Sequence, residues 1–178
     1  GNHGRARNVP LAEGRDGHQA RRFEGQGCIE VPKSPSLNPA VGNWSVEVVF
    51  KAQAPDGILV AQGGASFGYC LALEGGKPVF TVVSQKRPSR VAATQTTVGE
   101  WTTLRADITP QALLLRVNGG APVRARLKSG IFQQPREGLQ VGDDLGTSVL
   151  GASQPPPFRG LIESVRLYRG LAPWPDWR

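Results

Sequence analysis

Methionine is absent from the 178 residues, and histidine and cysteine occur only twice each. Two cysteines, Cys28 and Cys70, cannot form a disulfide scaffold. One bridge or two buried thiols both remain open, because a bridge requires Cα atoms within about 7 Å. Both histidines, His3 and His18, lie in the first twenty residues, and neither forms a recognisable nucleophile–base signature with a cysteine. No run of 18 apolar residues exists, which argues against a transmembrane helix. The opening GNHGRARNVP has no apolar stretch and does not read as a signal peptide. With no methionine to start it, the chain reads as a piece of a longer protein. Acids are also scarce: 14 Asp and Glu stand against 21 Lys and Arg, for a net charge of +7. That balance suits polyanionic partners, or serves solubility alone. Nucleic acid is disfavoured, since the basic clusters lack interleaved aromatics and no nucleic-acid motif is present.

Turn-forming residues are abundant, with 23 glycines and 15 prolines. So much punctuation argues for many short elements and against a helical bundle. Val46, Val48 and Phe50 alternate with Ser45, Glu47 and Lys51, the period of a half-buried strand. Further strands are expected at 28–31, 58–61, 69–73, 79–84, 91–97, 101–108, 113–117, 122–127, 139–142 and 159–168. Glu74-Gly75-Gly76 and Asn118-Gly119 are hairpin turns between them. Pro110–Val117 is the one rival helix, too short and too tightly bounded to form. About eleven short strands and no helix predict an all-β sandwich. Residues 1–20 are expected to be mostly irregular, 21–170 the sandwich, and 171–178 a C-terminal tail. The stretch 143–160 reads as a long loop, either functional or a plain surface excursion.

The ordered set of motifs resembles the laminin-G-like, concanavalin-A-like lectin/glucanase superfamily over roughly 20–170. It runs from Arg22-Phe23-Glu24-Gly25 through Trp44-Ser45-Val46-Glu47, Asp56–Gly64, Gly68–Leu73, Gly99-Glu100-Trp101 and Leu113–Gly119. It ends with Gly138–Gly142 and Phe158–Tyr168. ILVAQGG, GYCLAL and GLQVGDD together resemble the C-terminal module of bacterial, planctomycete-type sulfatases. The resemblance implies a jelly roll of two antiparallel sheets, one concave. It also implies a secreted, periplasmic or cell-surface setting and a role in binding glycans or a parent catalytic domain.

Catalysis finds little support. A retaining glycosidase needs two carboxylates about 5 Å apart. The E-x-D-x-E spacings of the glucanase branch are missing, and Asp143-Asp144 would point to opposite faces in a strand. Lys86-Arg87-Pro88-Ser89-Arg90 is similar to a sulfatase active-site motif, but Lys86 stands where the nucleophile precursor must be Cys or Ser.

Two kinds of site are candidates. Glu163 alternates with Leu161, Val165 and Leu167 on an apolar face, where a carboxylate needs a cation or hydrogen bonds. The resemblance implies a structural Ca²⁺ there, with Asp16, Glu24 and the Gly25 carbonyl as further ligands; the alternative is an ion pair with an arginine. The second site is basic. Lys86, Arg87 and Arg90 cluster in one loop or strand end. Arg116, Arg124, Arg126 and Lys128 follow one another without an intervening acid, with Arg124 and Arg126 on the same side of a strand. Guanidinium groups bind sulfate and carboxylate bidentately, so a sulfated or uronic polysaccharide is the expected ligand of Lys86, Arg87, Arg90, Arg124 and Arg126. A solvated sheet face is the plainer reading. Trp44 and Trp101 are expected to pack, and Trp174 and Trp177 to form a docking tail.

Overall fold

The computed structural model describes residues 2–171. The expected tail, with Trp174 and Trp177, lies outside the described residues apart from Leu171.

Two seven-stranded antiparallel sheets face one another. The first runs, in spatial order, β1 (Arg5–Arg7), β4 (Cys28–Val31), β13 (Leu139–Val141), β6 (Gly57–Gly63), β7 (Phe67–Glu74), β8 (Lys77–Ser84) and β9 (Arg87–Ala92). The second runs β12 (Val123–Arg126), β11 (Ala112–Val117), β10 (Trp101–Ile108), β5 (Trp44–Ala52), β14 (Arg159–Arg169), β3 (Gln19–Glu24) and β2 (Leu11–Glu13). Among the described residues the only helical segments are short 3₁₀ turns, such as those at Pro35–Leu37 and Pro39–Val41. The all-β sandwich expected from the strand cadence is therefore the fold, and Pro110–Val117 contributes a strand.

Alternation decides which side chains meet between the sheets. Val46, Val48 and Phe50 from β5 pack with Tyr69, Leu71 and Leu73 from β7 and Phe80 and Val82 from β8. An aromatic trio closes one region of this core: the Phe158 ring lies 6.0 Å from Phe23 and 6.1 Å from Phe50, edge to face in both cases. Trp44 is fully buried, while Trp101 is half-buried at the start of β10.

Two local expectations are corrected. The segment 1–20 is not mostly irregular. β1 pairs with β4 at the edge of one sheet and β2 pairs with β3 at the edge of the other. The strand expected at 91–97 begins and ends earlier, as β9. Gln85 and Lys86 both adopt left-handed backbone, with φ of 50° and 62°, and turn the chain directly from β8 into β9. Pro88 is tolerated because β9 is an edge strand.

The cysteines are free thiols, both buried. Three strand spacings separate β4 from β7, about 14 Å, so no bridge is geometrically open to them. Burial pushes the Cys28 thiol up to about 11 and that of Cys70 well above its ordinary value. Both are poor nucleophiles at neutral pH.

Candidate functional site

The outer face of the first sheet is the natural place to look for a ligand, and it is covered. β6, β7 and β8 turn Ile58, Ala61, Cys70, Ala72 and Val83 outward, and the chain after β13 folds back so that Val149 and Leu150 pack on them. Asp144 shapes this cover: its Oδ2 accepts the Val149 N–H at 2.8 Å, and its carbonyl oxygen accepts from Gln154 Nε2 at 3.2 Å. The Gln140 side chain also bonds both the N–H and the carbonyl of Leu145. The long loop expected at 143–160 is thus a fastened structural cover.

Burial raises the Asp144 carboxyl to about 6, with Glu137 and Asp143 adding to the rise and the Val149 N–H opposing it. Its folded value exceeds its unfolded one, so folding favours the protonated form. The contribution is complete below about pH 4 and is lost as pH rises through about 6. The amount at stake is on the order of 2–3 kcal/mol. Asp144→Asn keeps an acceptor for Val149 without the charge. Urea unfolding at pH 4.5, 6 and 8 is expected to show the variant more stable than the parent at pH 8 and level with it at the acid end.

Glu163 lies at a bulge in β14, between Ile162 opposite Phe50 and Ser164 opposite Val49. Its side chain is only 8% exposed, and its carboxylate is already occupied. Oε2 accepts the Arg15 N–H at 2.9 Å, and Oε1 lies 3.8 Å from Arg15 Nη2 and 3.6 Å from His18 Nδ1. The other expected calcium ligands are not gathered round it. Glu24 sits opposite Arg159, four residues before Glu163 on β14, which is about 13 Å along the strand. Asp16 is largely exposed and faces the Arg15 guanidinium at 3.9 Å. Among the described residues no three His, Cys, Asp or Glu side chains form a metal-binding group. Glu163, Glu24, Gly25 and Asp16 therefore do not fit one calcium ion, and the arginine alternative describes Glu163.

The basic residues fare better. β9 and β12, the end strands of the two sheets, run side by side. The Lys128 N–H donates to Ser89 Oγ across this seam at 2.9 Å, and Ser84 Oγ donates to the Gly130 carbonyl at 2.8 Å. Lys86 and Arg87 from one sheet and Arg124 and Arg126 from the other thus share one flank, all exposed. Lys128 joins them. Among the described residues none of these five cations has a carboxylate within 4.0 Å. Arg90 leaves the expected set: Glu74 holds it bidentately, with N···O distances of 2.9 and 2.7 Å.

Sequence reasoning missed a cavity next to this flank. Its walls are the β6–β7 hairpin, the segment before β13 and Thr147 of the covering loop, and its volume is about 370 Å³. The double glycine Gly63-Gly64 builds it. A Cβ on Gly63, where φ is 85°, would lie 2.3 Å from the Phe67 carbonyl oxygen and 2.7 Å from Pro135 Cβ; one on Gly64 would lie 2.8 Å from the Thr147 carbonyl oxygen. Only bare backbone lets the three segments close up. Phe67 is one of its lining residues, and the ring of Phe132, which is 60% exposed, lies 5.0 Å from that of Phe67. Gly63-Gly64 and the long loop were the available sequence signals, but neither pointed to Phe132.

A sandwich of two seven-stranded antiparallel sheets is the architecture of laminin-G and concanavalin-A-like modules. The pattern of the laminin G domain matches residues 50–169, more than half of the chain, and the chain belongs to that family. No curated protein matches it closely enough to count as a relative. Among solved structures, it is similar to domain 4 of a Geobacillus stearothermophilus extracellular arabinanase in complex with arabinotriose. There the TM-score is 0.69 at 19% identity, covering 92% of this chain and 76% of that one. It is also similar to mouse laminin α1 domains LG4-5, with a TM-score of 0.70 at 22% identity, covering 83% of this chain and 40% of that one. A third neighbour is the binding domain of botulinum neurotoxin DC in complex with SialylT, with a TM-score of 0.70 at 12% identity, covering 96% and 44%. The chain spans less than half of the laminin and neurotoxin fragments. Among the described residues no helix is long and apolar enough to cross a membrane.

Proposed function

We propose that the chain is a non-catalytic, carbohydrate-binding accessory module whose ligand is an acidic or sulfated polysaccharide. The observation that carries this is the flank itself: five exposed cations, brought from two sheets to one seam, without carboxylate partners among the described residues. A polymer of repeating anions fits a ridge better than a pocket, because each contact is weak alone and several act together. Saccharide complexes of two structural neighbours support a carbohydrate ligand. The raised thiols and the fully engaged Glu163 support a binding role over catalysis. The parent in this reading is a secreted hydrolase of the sulfatase kind; the support for that parent is the motif order alone.

The test is a polysaccharide panel on immobilised protein, with neutral, uronic and sulfated polymers. Binding is expected to the anionic polymers and to weaken steeply from about 50 mM to about 500 mM salt, where the Debye length falls to roughly 4 Å. Equal binding of neutral and anionic polymers, or none to either, would overturn the proposal.

A further inference from the structure

We propose that the cleft between the two sheets at the end away from the β9–β12 seam, where β4 and β13 face β3 and β14, binds a small amphipathic carboxylate. Its hydrocarbon body would lie between the sheets and its charge on Arg21. The inference is independent of the glycan reading, and no residue of the flank takes part in it.

Arg21 is out of keeping with its position. Alternation puts it on the same face of β3 as Phe23, the face turned to the core, and it pairs in register with Ile162, which is 5% exposed. A guanidinium on such a face needs partners for its several N–H donors and for its charge. Arg21 Nη1 donates to the Val9 carbonyl at 3.0 Å. Among the described residues no carboxylate lies within 4.0 Å of it. Glu163 follows Ile162 on β14, but the Arg15 N–H and guanidinium already hold its carboxylate. A half-buried cation is thus left without a counter-ion, where water screens it less than at an open surface.

Around Arg21 the cleft is apolar. Ile29 and Val31 from β4 and Leu139 from β13 form one wall, and Phe23, Val165 and Leu167 form the other. Ile29, Val31, Val165 and Leu167 pack against the core yet stay only partly buried, so an apolar body seated here would complete their removal from water. The volume, about 510 Å³, is that of a small-molecule pocket and suits one hydrocarbon or aryl acid. The walls are hydrogen-bonded strands, set before any ligand arrives. Asn2 and Ser36, both exposed and hydrogen-bonded to each other at 2.9 Å, line the rim. Gly4 presses bare backbone on the same wall: a Cβ there would lie 2.7 Å from Ile29 Cγ2. Charge selects an acid over a neutral apolar molecule, because a guanidinium grips a carboxylate with two parallel bonds. The walls select against a sugar acid, whose hydroxyls would be buried without partners.

Calorimetry on the whole chain tests this with octanoate, octan-1-ol and glucuronate. Octanoate is expected to bind at least tenfold more tightly than octan-1-ol, and glucuronate more weakly than either. Arg21→Gln is expected to remove the advantage of octanoate while leaving octan-1-ol within about twofold of its parent affinity. Val165→Phe, which fills the cleft from a partly buried position, is expected to weaken both apolar ligands. Equal affinity for octanoate and octan-1-ol in the parent, or an advantage that survives Arg21→Gln, overturns the proposal. So does glucuronate binding as tight as that of octanoate, or no octanoate binding up to about 2 mM. Because Arg21→Gln keeps a donor for the Val9 carbonyl, it remains informative if Val165→Phe folds poorly.

Discussion

Reversing two charges, Arg124→Glu and Arg126→Glu together, is expected to lower affinity for a sulfated polymer about a hundredfold at low salt. An exposed charge-assisted contact is worth about 0.7 kcal/mol, and reversal replaces each attraction with a comparable repulsion. Two such changes amount to roughly 3 kcal/mol, or about two powers of ten. Folding should hardly notice, because both side chains are exposed on an end strand. The matched control is Arg5→Glu with Arg22→Glu, which removes the same net charge from exposed positions on β1 and β3. Retention on a sulfated-polymer column at several salt concentrations reads the difference. If the control loses as much affinity as the flank variant, net charge alone is acting and the flank is not a site.

The largest expected effect on stability is at Phe158. Phe158→Ala should cost about 3–5 kcal/mol, a large part of the 5–15 kcal/mol that holds a typical domain together. The ring is 1% exposed and bridges Phe23 and Phe50, so its loss opens a cavity between β3 and β5. Its backbone also ties strands together: the Phe158 N–H donates to the Gly142 carbonyl at 2.8 Å, and its own carbonyl accepts the Gly25 N–H at 3.1 Å. Those bonds survive the substitution, which limits collapse into the vacated space. Guanidinium unfolding measures the loss. A cost under about 1 kcal/mol would mean that the trio contributes little to the packing of the core.

Sequence disclosed what depends on short-range pattern. Val46, Val48 and Phe50 alternate because one side of β5 faces the core, and Asn118-Gly119 and Glu74-Gly75-Gly76 turn because left-handed backbone is cheap there. β1 and β2 were invisible for the opposite reason. Each is three residues long at a sheet edge, with Arg-Ala-Arg and Leu-Ala-Glu showing no apolar period. β9 was misplaced because Arg87-Pro88-Ser89-Arg90 reads as loop, although an edge strand accepts both its proline and its charges. Lys86, Arg87, Arg124 and Arg126 were recognisable as cations, but their meeting depends on two sheet edges lying together. The pairing of Arg90 with Glu74 depends on β7 and β9 flanking β8. Glu163 announced itself as an acid on an apolar face, yet its partner at Arg15 is 148 residues away.

One consequence of the topology concerns time. β14 is the last strand of the described chain, yet it lies in the interior of its sheet, between β5 and β3. During synthesis β3 waits for a neighbour that is made long after it, and β5 presents an open edge of Val and Phe meanwhile. The second sheet therefore closes only after β14 has been made, with pairings such as Arg21 to Ile162 far apart in sequence. Non-local pairing of this kind is slow and leaves strand edges unprotected. A ribosome-held chain stopped before Arg159 should stay protease-sensitive, and a few residues more should convert it abruptly to a resistant state.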